Sequence, residues 1–179
     1  LLKHKHSLIE LAYKPKLMNE ATLNADGFGI AWRNKENFKL YKNYLPIWND
    51  LNLDNLSKSI SSNLVIGNVR SATISENLGY FNTHPFKLKK FCFSHNGFIK
   101  NFNHITRKKI LKYLKPKYIK LVKGQTDSEI IFILLMQIIE NEKEVGKSIK
   151  KTIQIVKENC DACMLNFLIA TFHDGKNTL

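Results

Sequence analysis

The chain has 179 residues, 44% of them apolar and 11% aromatic, which is enough for the core of one domain. No apolar run approaches the 18 or so residues that a membrane span needs, and three cysteines are too few for a secreted disulfide scaffold. The net charge of +13 comes almost entirely from lysine, with only three arginines, which disfavours a nucleic-acid partner. We therefore expect a cytoplasmic globular protein that makes no membrane contact.

The hydrophobic pattern predicts one α+β domain over residues 1–179 with antiparallel sheets, because strands are followed by two long helices and then another strand. The chain opens on Leu1 and ends just after the turn signal Asp174-Gly175, so we expect the natural domain to extend beyond both ends. In chain order the predicted elements are a helix over 7–13, strands over 27–33 and 38–44, a helix over 52–61, strands over 64–69 and 90–93, helices over 105–114, 126–140 and 141–158, and a strand over 164–172.

Four short motifs place polar residues or glycine at the ends of apolar elements. Each has an ordinary structural explanation, since Asp-Gly and Asn-Gly are common turns and a carboxylate is favoured at a helix start. The motifs are "NADGFGIAW" (24–32), "VRSAT" (69–73), "SHNGFI" (94–99) and "GQTDSE" (124–129).

Together, and in this order, the motifs resemble those of the class II glutamine amidotransferases, which are N-terminal-nucleophile hydrolases. "HSLIELAYKPK" (6–16), "LPIWNDLNL" (45–53) and "NTHPF" (82–86) resemble the stand-alone branch that contains the ergothioneine-pathway γ-glutamyl amidohydrolases. The resemblance implies a four-layer αββα sandwich of two antiparallel sheets between helix layers. It also implies an enzyme that cleaves a γ-glutamyl amide, in glutamine or a larger conjugate, through a cysteine thioester and without a metal or organic cofactor.

The resemblance assigns the oxyanion hole to Asn96 and Gly97. Hydrolysis of an amide passes through a tetrahedral oxyanion, which needs preorganised hydrogen-bond donors. Asn96 would offer its side-chain amide and Gly97 its backbone N–H, held by the preceding strand. We expect glycine here because a Cβ would crowd the substrate and restrict the backbone.

The remaining substrate contacts are also implied by the resemblance. Arg70 matches the arginine that binds the substrate α-carboxylate, where a planar guanidinium fits better than an ammonium. Asp127 matches the aspartate that binds the α-ammonium group, and Thr73 matches a substrate-contacting position in the loop after Arg70. Asp26 and Gly27 match a loop that borders the site.

The nucleophile of the family is a cysteine at the mature N-terminus, and no residue of the chain matches it. Cys92 lies within an apolar strand and is interpreted as a core residue. We expect the nucleophile upstream of Leu1. The alternative is a catalytically inactive relative that binds an anionic partner, such as RNA, through the segment 98–123, which has nine basic residues and no acidic one.

Other sites are less well supported by the sequence. The Cys160-x-x-Cys163 pair has the spacing of half a zinc site, but no second pair accompanies it, so we expect a structural role and no metal. We expect His84 to steady a loop and His95 to be a buried, hydrogen-bonded residue. The expected partners are a small γ-glutamyl substrate, with an ammonia-accepting synthase subunit and a homo-oligomer left open.

Overall fold

A computed structural model of the chain describes residues 7–15, 23–71, 79–173 and 176–178. The chain divides into a first unit, Leu1–Ser94 with Ile169–Leu179, and a second unit, His95–Leu168. The helices are α1 (Leu8–Tyr13), α2 (Leu53–Ser59), α3 (His104–Leu111), α4 (Pro116–Ile119), α5 (Asp127–Glu142) and α6 (Val145–Glu158). The strands are β1 (Phe28–Asn34), β2 (Asn37–Asn43), β3 (Val65–Val69), β4 (Phe86–Leu88), β5 (Phe91–Ile99), β6 (Cys163–His173) and β7 (Lys176–Thr178).

The described strands form two sheets. The first has the order β2-β1-β3, and β1 pairs antiparallel with both neighbours, so that Phe28 lies opposite Asn43 on one side and Val69 on the other. The second has the order β4-β5-β6-β7, with antiparallel pairing of β4 with β5 and of β6 with β7. Strands β5 and β6 each pass from one unit of the chain into the other.

Three layers can be recognised within the first unit. One apolar cluster joins the inner faces of the two sheets, and a second joins the opposite face of the three-stranded sheet to α1 and α2. Alternate residues of β1 enter the two clusters, as the pleat of a strand requires. The first cluster contains Ala31, Phe38, Leu64, Ile66, Cys92, Ala170 and Phe172, and the second contains Leu8, Ala12, Phe28, Ile30, Ile47 and Leu53.

Helix α5 is the most buried element of the second unit. Residues 128–138 are all buried, which explains why its sequence is apolar on every side and not only on one face. Thr126 caps its first turn by accepting the N–H of Glu129. Lys143 adopts a left-handed conformation and ends the helix, so that α6 begins as a separate element at Val145.

The main departure from the predicted elements concerns β5. The strand was expected to end at Phe93, but it continues through the polar residues Ser94 to Gly97 and ends at Ile99. The side chains of Ser94 and His95 find hydrogen-bond partners on neighbouring elements, which removes the cost of placing them in a strand. The predicted helix over 105–114 is α3 and ends earlier, at Leu111, and the short elements β4, β7 and α4 were not predicted.

The buried carboxylate of Glu129 fixes the loop before α5, and its removal should be costly. Only 5% of the residue is exposed, and its two oxygens accept the N–H groups of Lys123 (2.8 Å) and Gly124 (2.7 Å). We expect Glu129→Ala to lower the free energy of unfolding by about 2–4 kcal/mol, because these donors lose a charged partner. Urea denaturation would measure the change. Glu142→Ala, at the exposed end of the same helix, is the matched control and should change stability little; equal losses in the two variants would contradict the prediction.

Candidate active site

Arg70 follows β3 directly and is held by the loop that precedes β1. Its backbone N–H donates to the carbonyl of Gly27, and its own carbonyl accepts the N–H of Asp26, both at 2.9 Å. The Asp26-Gly27 dipeptide and Arg70 therefore lie side by side in the first unit. Gly27 has a φ of +108°, and a Cβ there would lie about 3 Å from Asn43 and Thr83, so this loop requires glycine. Arg70 and Asp26 are both half-buried.

A buried amide also joins β3 to β5 within the first unit. Asn68, two residues before Arg70, is 8% exposed and donates from Nδ2 to the hydroxyl of Ser94 at 3.0 Å. Ser94 is in turn two residues before Asn96 on β5. The sequence analysis did not identify Asn68, although an asparagine inside the apolar run "LVIGNV" was the available signal.

Asn96 and Gly97 lie on the exposed part of β5 in the second unit. Alternation along the strand puts the side chain of Asn96 on the face opposite to that of His95. Gly97 has a φ of +153°, and a Cβ built there would lie 2.0 Å from the carbonyl oxygen of Met164 on β6. The expectation that glycine is needed here to leave room for a substrate is therefore incomplete, since the neighbouring strand by itself forbids a side chain.

Asp127 is the first residue of α5 and is bound to β5. Its Oδ2 accepts the N–H of Ile99 at 2.8 Å, and its Oδ1 accepts the N–H of Ser128 at 2.7 Å. The carboxylate remains half-buried rather than enclosed. In the second unit, a negative charge is thus fixed two residues along the strand from Gly97. A carboxylate at a helix start is also favoured by the helix dipole, and this structural role is compatible with binding of a substrate ammonium group.

The structure brings the predicted residues together in two groups. Arg70, Asp26 and Gly27 form one group in the first unit, and Asn96, Gly97 and Asp127 form the other in the second unit. Thr73 lies outside the described residues. His84 is buried, with its ring 4.7 Å from that of Phe86 in an edge-on arrangement.

Neither Cys92 nor Cys160 is suited to act as a nucleophile. Cys92 is fully buried in the first apolar cluster, and burial raises the pKa of its thiol to about 12, which confirms its role in the core. Burial, followed by its hydrogen bond to Cys163, raises the pKa of Cys160 to about 11. Such thiols are protonated at neutral pH, and the thiolate is the reactive form.

The described residues contain no group of three or more His, Cys, Asp or Glu side chains arranged to hold a metal ion. In the same part of the chain, no helix is both long and apolar enough to cross a membrane. Two surface cavities of about 520 and 470 Å³ are lined by other residues than the candidates above: Arg33, Lys35, Ser61, Ser62 and Asn63 for one, and Lys109, Lys112, Tyr113, Glu158 and Asn159 for the other.

The basic segment 98–123 lies mainly on α3, α4 and the loops around them. All of its lysines are exposed, and Lys117 forms an ion pair with Glu140 at 3.0 Å. Exposed lysines on short helices are also what a solvated surface contains, so this segment does not by itself indicate a partner.

The fold is that of an amidotransferase domain. A solved glutamine aminotransferase class-II domain protein from Silicibacter pomeroyi superposes with a TM-score of 0.61 at 25% identity, covering 80% of this chain and 63% of that one. The chain matches the family of class II glutamine amidotransferases over residues 11–177. It belongs to this family, and the predicted fold class, an α+β sandwich of the N-terminal-nucleophile type, is confirmed.

Two curated relatives support the resemblance to amidotransferases and to the γ-glutamyl hydrolases of the ergothioneine pathway. The probable glutamine amidotransferase DUG3 of Saccharomyces cerevisiae is 34% identical over 78% of this chain and 41% of its own length. The gamma-glutamyl-hercynylcysteine sulfoxide hydrolase of Mycobacterium tuberculosis is 25% identical over 49% of this chain and 38% of its own length. The chain thus spans about two fifths of the length of these curated relatives.

Proposed function

We propose that the full-length protein hydrolyses a γ-glutamyl amide through a cysteine thioester. The observation that carries this proposal is the placement of Asp127. Its carboxylate is bound to the N–H of Ile99 on the strand that also presents Asn96 and Gly97. A γ-glutamyl substrate has an ammonium group at one end and a reacting carbonyl at the other, and this strand offers a partner for each.

In this proposal the nucleophile is a cysteine upstream of Leu1, as in the family, and Cys92 and Cys160 remain thiols. Its sulfur attacks the amide carbon, and the oxyanion that forms accepts hydrogen bonds from the Asn96 amide and the Gly97 N–H. The C–N bond then breaks, the amine leaves with a proton, and a thioester remains. Water hydrolyses the thioester to the γ-carboxylate of glutamate and restores the thiol.

Arg70 and Asp127 would bind the α-carboxylate and α-ammonium groups of the same substrate. Family membership supports this pairing, together with the two backbone hydrogen bonds that hold Arg70 against Asp26 and Gly27. The amine that leaves is ammonia if the substrate is glutamine. The name of the mycobacterial relative supports a larger γ-glutamyl conjugate, and the name of the yeast relative supports transfer of the ammonia to an acceptor.

A covalent probe tests the proposal. A diazo-ketone analogue of glutamine alkylates a nucleophilic thiol in the glutamyl pocket with loss of N₂. We expect mass spectrometry of the treated full-length gene product to find the label on an N-terminal cysteine, and Arg70→Ala or Asp127→Ala to abolish it. A folded protein that takes up no label would favour the alternative, a binding protein of the same fold.

Substitution of Arg70 should affect binding more than chemistry. We expect Arg70→Lys to raise KM for glutamine about tenfold while kcat changes little, because a lysine keeps the charge but loses the bidentate geometry. Steady-state kinetics on the full-length protein would measure both constants. Arg33→Lys, in the first unit and stacked over Phe172 at 4.8 Å, is the matched control and should keep the native KM. A native KM in Arg70→Lys would exclude Arg70 from the carboxylate site.

A further inference from the structure

A chain of hydrogen bonds in the second unit connects β6, β5 and the start of α5. His95, 3% exposed, has its Nε2 at 3.2 Å from the carbonyl oxygen of Met164 and its Nδ1 at 2.9 Å from the hydroxyl of Ser128. The Ser128 hydroxyl is also 3.2 Å from Oδ1 of Asp127. The proposed reaction assigns no role to His95 or Ser128, yet His95 directly precedes Asn96 in the chain and Ser128 contacts Asp127.

The direction of these hydrogen bonds follows from the partners. A carbonyl can only accept, so Nε2 of His95 carries a proton and donates to Met164. Burial lowers the pKa of His95 from its ordinary 6.5, against the opposing effects of the Asp127 charge and the Met164 carbonyl, so the ring is neutral at pH 7. Nδ1 is then an acceptor, and the single hydroxyl proton of Ser128 goes to it.

This arrangement holds Asp127 in one orientation. With the hydroxyl of Ser128 fixed by His95, the carboxylate is oriented by the N–H of Ser128 on one oxygen and the N–H of Ile99 on the other. The His95 side chain and the Ile99 N–H both bind the start of α5, and Gly97 lies between these two residues on β5. The start of α5 is therefore attached to the strand on both sides of Gly97, and the carboxylate has a fixed distance from the Gly97 backbone.

We propose that His95 and Ser128 are positioning residues that set the distance between Asp127 and the Asn96–Gly97 pair, and that this distance selects γ-glutamyl over β-aspartyl substrates. The inference rests on the proposed function. An aspartyl substrate is shorter by one C–C bond, about 1.5 Å, so it cannot reach both partners at once. A misplacement of about 1 Å can cost about 10²-fold in rate, which is enough for discrimination.

Two diazo-ketones that differ by one methylene, the glutamine-length and the asparagine-length analogues, measure this selectivity directly. Their rates of labelling of the full-length protein are compared in the wild type and in Ser128→Ala. We expect Ser128→Ala to lower the ratio of the two rates by about tenfold or more, because the start of α5, which carries the Asp127 carboxylate, loses its side-chain hydrogen bond to His95 on β5. Ser128→Thr, which keeps the hydroxyl, should restore the native ratio, and Ser128→Cys, which keeps the size but donates weakly, should not.

Ser148→Ala is the control that distinguishes a positioning role of Ser128 from a purely structural one. Ser148 is also a buried serine of the second unit, and its hydroxyl donates to the carbonyl of Glu144 at 2.7 Å. This variant should lose comparable stability and keep the native ratio. A native ratio in both Ser128→Ala and Ser128→Cys would overturn the positioning role while leaving the proposed function intact. A wild-type protein that neither analogue labels would overturn the proposed function, and the inference with it.

Discussion

Replacement of Asn96 by alanine in the full-length protein is expected to lower kcat for glutamine hydrolysis about 10²–10³-fold, or about 3 kcal/mol in barrier height. The side-chain amide is one of two proposed oxyanion donors, and its contribution is realised only as negative charge develops on the amide oxygen. KM should change little, because the ground-state carbonyl interacts weakly with the same donor. The measurement is a single-turnover rate for ammonia release, which isolates the chemical step.

The structure indicates that this variant will fold. Asn96 is exposed on β5, so loss of its amide leaves no buried polar group without a partner. Asn55→Ala, an exposed asparagine on α2 in the first unit, is the matched control and should keep the native rate. An unchanged kcat in Asn96→Ala would remove Asn96 from the oxyanion hole and leave Gly97 as its only assigned donor.

Most elements of the fold could be predicted because their patterns are local. The predicted strand over 27–33 and the predicted helices over 52–61 and 126–140 each depend on residues close in sequence. They were found within a few residues of their predicted places, as β1, α2 and α5. The prediction for β5 ended too early because its second half depends on contacts that are distant in sequence. Its polar half is stabilised by partners such as Ser128, which lies 33 residues from His95. A local sequence pattern cannot predict such partners.

The candidate site shows the same division. Arg70, Asn96 and Asp127 were named because their motifs, taken together and in order, resemble those of the family. Asn68 and Ser128 were not singled out, since an isolated asparagine or serine is common on protein surfaces and only burial reveals its partner. Tertiary contacts thus determine which polar residues support a site, whereas the residues that could contact a substrate directly were named from the sequence.

Gly97→Ala should reduce stability more than any other single substitution considered above. A Cβ would lie 2.0 Å from the Met164 carbonyl oxygen and 2.7 Å from Nε2 of His95, and the φ of +153° is strained for alanine. Because the first obstacle is the backbone of β6, it cannot be relieved by a change of rotamer. We expect the variant to lose at least about 3 kcal/mol in the free energy of unfolding, or to fail to fold. Circular dichroism during urea denaturation would measure the loss.

Gly146→Ala is the reference variant for this experiment. The comparison distinguishes two reasons why position 97 could require glycine, room for a substrate and the close approach of β6. Gly146 lies in α6, and the nearest atom to a Cβ there is 3.9 Å away, so alanine should stabilise the protein by about 0.5–1 kcal/mol. If Gly97 were required only to admit a substrate, Gly97→Ala would fold with native stability and lose activity alone. A loss of stability without substrate would instead show that the close approach of β6 imposes the glycine. The proposed oxyanion N–H would then be held by the same contact that makes a side chain impossible at this position.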